Sequence, residues 1–562
     1  MDTITPPRAR PKKISQFFDY SKGQNSFDDP LILPANFLTT ARNVRINRTG
    51  QVLSRLGQTQ IGNTIHATNP ILGLYEYQDE AGTKVRFTHV DTVLYELVTA
   101  TWTNRKTIAT DELSFVTFKG SYGSAVTSGT STSGTTNTLV DTAATWTPDA
   151  YRGYILKDTT TGELKVIESN TATVITIEGK WDTIPTTDGY EIYATKSIVY
   201  ACNGTDKFKI MASNSIADLT AGGWTTFKRL AVHNNRLFAW LNNSSRMQYS
   251  DLGCGENFPD LNFIDVNNGD GDSIRGAGAG AGVLVICKER SAWILAGSGR
   301  DNFSLQNISL TAGCIAPKSL VASNGIVFFL GYEGVYKTDG RSAPVLVSKN
   351  IKDKIDATTL AQRLDANAVI DVMNGHYIST VGTETFTSDI NRDNWVWDDG
   401  YTPNVFANAE DADGSPIILM GDDTQGIVWQ MDSGNDDRGD QTITSVVETV
   451  KIPGGKYGII KGYGRGRIFF QATTWHTFIT VEANVEDQGY NVVTALDTYQ
   501  DFAEWDIAEW DISEWSAAET IISKFKTKDK GRYIQLRWTK NDDKEPVTFY
   551  GLTFTFKERR FK

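Results

Sequence analysis

Paired short apolar runs joined by turn residues recur along this chain, and they constrain its fold more than any other feature. GLYEYQD (73–79), VRFTHV (85–90) and TVLYELV (92–98) follow one another with partial alternation of apolar and polar positions. Alternation at period two turns one face of a run inward and the other outward, as a strand does and a helix does not. Pairs recur at SIVYACNGTDKFKIM (197–211), RLAVHNNRLFAWLNN (229–243), GVLVICKERSAWILAG (282–297) and GIVFFLGYEGVYKTDG (325–340). Gly and Asn between the runs supply the left-handed backbone that a tight reversal needs. Runs rich in helix formers are scarce, and capping and spacing predict a helix only over IKDKIDATTLAQRL (351–364). The class is all-β, and many short strand pairs at irregular spacing predict a β-propeller.

The text changes along the 562 residues in a way that suggests several units. Residues 1–28 read as a flexible N-terminal arm, opening on the Pro-rich, basic MDTITPPRARPKKISQ. Residues 29–119 read as the first part of the propeller, with a tight turn at Asn47–Gly50. Residues 120–196 are rich in Ser, Thr and Gly and low in charge, which predicts a small inserted β-barrel or sandwich. The first half of that module reads equally well as a loop. Residues 197–439 resume the propeller, and 440–562 carry longer strands such as TITSVVETVKI and RYIQLRWTK, predicting a C-terminal β-sandwich.

Charge and motifs exclude several classes of function. The formal net charge of −12 is wrong for a protein that grips nucleic acid through its phosphates. Acidity suits solubility, or a channel through which nucleic acid passes without sticking. Cys202, Cys254, Cys287 and Cys314 lie too far apart for a zinc or redox motif and read as buried thiols in a reducing compartment. His66, His89, His233, His376 and His476 are single, with no paired zinc motif. SDINRDNW (388–395) misses the Asp and Gly positions of a sialidase Asp-box, so an enzyme is not expected, and neither is a cofactor. The sequence has no apolar run long enough to span a bilayer and no secretory signal after its basic start, so membrane insertion is not expected and assembly is expected in the cytoplasm.

A few motifs invite a sharper reading. Asp265, Asp270 and Asp272 in DVNNGDGDSI form a candidate acidic turn or lumen-lining group. Calcium would need a different ligand order, so Asx and Gly turn chemistry is the expectation. GAGAGAG (276–282) precedes no helix, and Arg438-Gly439-Asp440 reads as an exposed turn. In EWDIAEWDISEW (504–515), Trp505, Trp510 and Trp515 recur every five residues, which matches neither strand nor helix. Tryptophan dominates interface energetics, so these three, with Arg8, Arg10, Lys12 and Lys13 of the arm, are candidate interface residues. The tail KERRFK (557–562) reads either as a partner for an acidic neighbour or as a solvated end.

The order of these features resembles that of β-propeller tail proteins from tailed bacteriophages. ARNVRINRTGQVLSRLGQ (41–58), followed by GLYEY and LYEL, resembles their opening. A strand ending MQYSD, then Glu256-Asn257-Phe258, FIDVNNGDGDSIRG, VLVICKERSAWILAG and GIVFFLGYEGVY resemble their middle, and GIVWQMDSGNDDRGDQTITSVVET their passage into a sandwich. The likeness covers most of 29–562, and 120–196 is its most variable part. Nozzle or hub proteins of short-tailed phages are the nearest type. The resemblance implies a virion structural protein that forms a homo-oligomeric, hexameric ring, docks to a head-to-tail adaptor and other tail proteins, and lets DNA pass without specific binding. A tail-tip protein that binds a receptor or glycan is the alternative.

Overall fold

The computed structural model describes residues 13–79, 81–211, 215–220, 222–453, 456–499, 520–527 and 529–559. Arg8, Arg10, Lys12, Trp505, Trp510 and Trp515 therefore lie outside the described residues, as does the end of the basic tail.

The chain is a β-propeller joined to a β-sandwich. Five sheets stand free as four-stranded blades, and two further four-stranded units of the same order are embedded in nine-stranded sheets. In chain order, blade 1 spans Ile71–Gln78 to Thr101–Thr107 and blade 2 runs from Ser114–Thr130 to Ser215–Asp218. Blade 3 spans Arg229–His233 to Phe263–Asp265, and blade 4 spans Ile274–Ala279 to Ser304–Ser309. Blade 5 spans Val321–Ser323 to Val345–Leu346, and blade 6 spans Asn367–Asp371 to Trp395–Asp398. Blade 7 takes three strands from Pro403–Glu410 to Gly426–Met431 and its fourth, Gln58–His66, from near the N-terminus. The first strands of the seven units touch in sequence, and that of blade 7 touches that of blade 1, so the ring is closed.

Turn chemistry fixes the hairpins. Asn234 and Asn235 both take positive φ, at 45° and 55°, between the paired His233 and Arg236. That is the tight reversal whose twist matches two antiparallel strands. Between blades the cores are apolar: Phe238, Trp240, Tyr249, Leu284 and Ile286 share one cluster across blades 3 and 4. Cys287 and Cys314 lie with Phe329 in the next cluster, and all four cysteines are free and buried, as the sequence suggested. Burial pushes the four thiols above their usual pKa. The predicted helix at 351–364 resolves into two single turns, Lys352–Asp356 and Leu360–Leu364, the second with a capping box at Thr359 and Gln362.

The 120–196 module is β-structured, and it has no break from the propeller. Ser114–Thr130 and Gly189–Cys202 run through both expected boundaries as one long antiparallel pair, and the module's sheet continues blade 2. Its own core holds Trp146, Trp181, Tyr190, four isoleucines and two leucines. Buried Lys165 ties it to blade 3 through Asp251, at 2.6 Å.

The N-terminal boundaries need correction. Residues 29–57 were expected to open the propeller, yet Leu38–Arg42 pairs with Thr444–Thr449, and the hairpin Val44–Ile46/Val52–Ser54 pairs with Thr548–Glu558. The Asn47–Gly50 turn forms as predicted, with Asn47 Oδ1 accepting from the amides of Thr49 and Gln51, but it belongs to the sandwich. The arm is also shorter than 1–28. Lys13–Phe17 adds a strand to Thr548–Glu558, and Tyr20 is fully buried against Phe549. The reason is packing: one core joins Leu38, Ala41 and Val44 to Val447, Phe470, Trp538, Phe549 and Phe554. The sandwich is thus built from both ends of the chain.

Candidate functional site

The first strands of the propeller blades converge on a cavity of about 290 Å³ at their starting ends. It is lined from six of the seven units, five of them through residues at or just before the start of the inner strand (Ser114, Arg229, Arg275, Lys318 and Asn367) and blade 7 through Phe406 within its strand. Three cations line this axial space, and no carboxylate among the described residues does. Each is paired with a carboxylate outside the lining. Glu112 accepts from Arg229 at 2.5 Å and pairs with Lys318 at 3.1 Å. Lys318 also reaches Asp365 at 2.8 Å, and Arg275 reaches Glu289 at 2.5 Å.

These contacts set the proton chemistry. Burial alone would raise the Glu112 carboxyl, but the charges of Arg229 and Lys318 prevail and hold it at about 2. Glu289 is also lowered, by hydrogen bonds from Arg275 and Tyr332. A glycosidase needs one carboxylic acid whose pKa is raised so that it donates a proton near neutral pH. Glu112 and Glu289 are tuned the opposite way, as counter-ions of the cations they meet.

The acidic residues singled out by sequence do not converge. Asp265 forms a two-point pair with Arg246, at 2.7 and 2.9 Å. Asp270 clasps the ammonium of Lys288 at 2.6 and 2.7 Å, and Lys288 is fully buried at the end of a blade 4 strand. Asp272 accepts from the amides of Glu289 and Arg290, at 2.9 and 3.2 Å. The Asx and Gly turn reading holds, with Asn267, Gly269 and Gly271 all at positive φ. Within the propeller, these three carboxylates line no lumen: their oxygens are spent on a bridge, a buried cation and the backbone. Among the described residues no cluster of three His, Cys, Asp or Glu is placed to hold a metal ion.

A second group of charges lies at the seam between propeller and sandwich. Arg45 grips both oxygens of Asp398 at 2.9 and 2.8 Å, and Tyr401 donates to the same carboxylate at 2.9 Å. Arg55 clasps both oxygens of Asp437, donates to Asn43 Oδ1 at 3.0 Å, and lies over the Tyr401 ring. Arg42 meets Asp399 at 3.3 Å. All three arginines come from the 41–58 stretch, and their carboxylates come from the end of blade 6 and the hairpin after blade 7. Arg438-Gly439-Asp440 is the turn of that hairpin, with Arg438 and Gly439 at positive φ. Of the arm residues, Lys13 pairs with Glu558 at 2.5 Å.

Sequence reasoning missed the axial cations because their spacing of 46 and 43 residues along the chain carries no pattern. Only the register of the blades brings them together. A usable signal existed at the seam, where 41–58 is rich in arginine, and in Lys288, a lysine inside an otherwise apolar strand.

No family model and no curated protein matches this chain. Solved structures match in outline. The allergen Mala s 1 of Malassezia sympodialis is 9% identical over 42% of this chain and 88% of its own, with a TM-score of 0.28. PorZ, a surface component of the type-IX secretion system of Porphyromonas gingivalis, is 12% identical over 72% of this chain and 44% of its own, with a TM-score of 0.31. An exo-β-1,3-galactanase from Phanerochaete chrysosporium is 8% identical over 96% and 100% of the two chains, with a TM-score of 0.19. Likenesses this distant bear on general architecture alone and carry no functional argument.

Proposed function

We propose that this chain is a non-enzymatic structural protein of a bacteriophage tail, a nozzle or hub subunit assembled in the host cytoplasm. The observation that carries the reading is the seam. The 41–58 motif, which resembles the opening of tail propeller proteins, is the segment whose Arg42, Arg45 and Arg55 bolt the propeller to the sandwich. Two bodies locked by buried charge pairs and a shared sheet suit a component that transmits load between a ring and its neighbours. In this reading the subunits form a ring, hexameric by the resemblance, that docks to an adaptor and passes DNA without gripping it. Any DNA channel then lies between subunits, because the propeller's own axial cavity faces three cations.

Imaging of the purified protein by negative stain, alone and mixed with a candidate adaptor ring, tests this. Rings with a central channel are expected, at least on the adaptor. Monomers that ignore the adaptor and adhere to host cells would transfer the case to receptor or glycan binding. One observation favours that second reading: Trp475 and Phe478 are 64% and 62% exposed at one end of the sandwich. If it holds, Trp475→Ala abolishes adhesion.

A further inference from the structure

The geometry points to the axial cavity of the propeller as a binding site for a small hydroxylated carboxylate, an acidic monosaccharide unit being the class that fits. Three observations carry this. First, Arg229, Arg275 and Lys318 line a space of about 290 Å³ that no carboxylate among the described residues lines, in a chain whose net charge is −12. Their counter-ions Glu112, Asp365 and Glu289 are not among the residues that line the cavity. Second, the buried Nε–H groups of Arg229 and Arg275 have no acceptor among the described residues, and a buried guanidinium donor left unpaired is costly. A planar carboxylate supplies the paired acceptors that guanidinium forks prefer. Third, Asn367 lines the same cavity, is 4% exposed, and spends its amide on the Pro403 carbonyl at 2.6 Å while its Oδ1 has no donor. A ligand hydroxyl completes it.

The remaining walls match a sugar ring better than a bare ion. Phe115, Trp240 and Leu320 add apolar surface beside the cations. A sulfate would use the arginines but leave Asn367 and the apolar wall unsatisfied. Sites of this kind combine an apolar lining with a few convergent polar groups. The inference concerns the propeller of a single subunit, so it stands or falls apart from the place of the chain in a tail.

The test is calorimetric titration of the full-length protein with D-glucuronate and D-galacturonate, with glucose and sulfate as controls. Saturable binding of at least one uronate is expected, with none for glucose and weaker binding for sulfate. Ser114→Asp places a carboxylate among the three cations and is expected to abolish binding while leaving the thermal unfolding profile intact. Lys318→Gln is expected to weaken binding about tenfold, the effect of losing one charge-assisted contact. A folded protein that binds neither uronate overturns the proposal, and so does binding that survives Ser114→Asp. Glucose binding as tightly as glucuronate would remove charge recognition, and sulfate binding more tightly would remove the sugar.

Discussion

At the residue scale, the acidic turn of 265–274 shows how a carboxylate that looks like a ligand becomes a counter-ion. Lys288 has no exposure to solvent, and its ammonium is held by both oxygens of Asp270 and by the carbonyls of Val266 and Asn267. Moving a charge into such a place is expensive, and removing one partner of a buried pair leaves the other uncompensated. Asp270→Asn is therefore expected to destabilise the protein by about 3 kcal/mol, read as a lowered urea midpoint. The double variant Asp270→Asn/Lys288→Met, which removes the stranded charge and keeps the apolar stem, is expected to recover most of the loss. An unchanged midpoint for the single variant would mean that the two carbonyls alone satisfy Lys288. The sequence showed the Asx and Gly turn but not this partner, since Asp270 and Lys288 lie on different elements and meet only through the strand register of blade 4.

At the element scale, the propeller closes with a borrowed strand. Gln58–His66 supplies the fourth strand of blade 7, with Gln60 opposite Trp429 and Thr59 opposite Gln430. Without it the last blade would present an open edge, and the two ends of the propeller would be held only by packing between blades 7 and 1. Proline at Gln60 removes a backbone N–H and fixes φ within the closing strand, and it also removes a side-chain donor to the Gly62 carbonyl at 3.1 Å. Gln60→Pro is expected to lower the melting temperature and to speed amide exchange first in blade 7. Exchange that quickens evenly over the whole chain would argue against a local closure. The hairpins were legible in the sequence because Asn and Gly mark their turns and period two marks their faces. The closing strand was not, because QTQIGNTIH looks like one more strand of a local pair. Pairing between residues more than 350 positions apart leaves no local trace. The same reason hid the membership of residues 38–54 in the sandwich, whose partners lie beyond residue 443.

At the scale of the whole molecule, the question is whether propeller and sandwich behave as two bodies or one. Blade 6 and one sandwich sheet share hydrogen bonding, with Arg42 bridging to Trp397 in parallel register between Leu38–Arg42 and Trp395–Asp398. That contact is narrow, so the joint depends on the charges around it. Asp398 is fully buried and receives Arg45 through both oxygens, Tyr401 through one, with Arg55 at 3.7 Å. Asp398→Asn keeps the shape but removes the charge that faces two guanidinium groups, at a cost of about 3–5 kcal/mol concentrated in the seam. The wild-type protein is expected to unfold in one calorimetric transition, because the seam couples the two cores. Asp398→Asn is expected to split that transition in two, with the sandwich and the propeller melting apart, since each keeps its own apolar core. A single transition shifted downward would mean that the shared sheet, and not the ion pairs, carries the coupling. Two transitions in the wild type would mean that the seam is already loose, and a force-transmitting role for this joint would lose its physical basis.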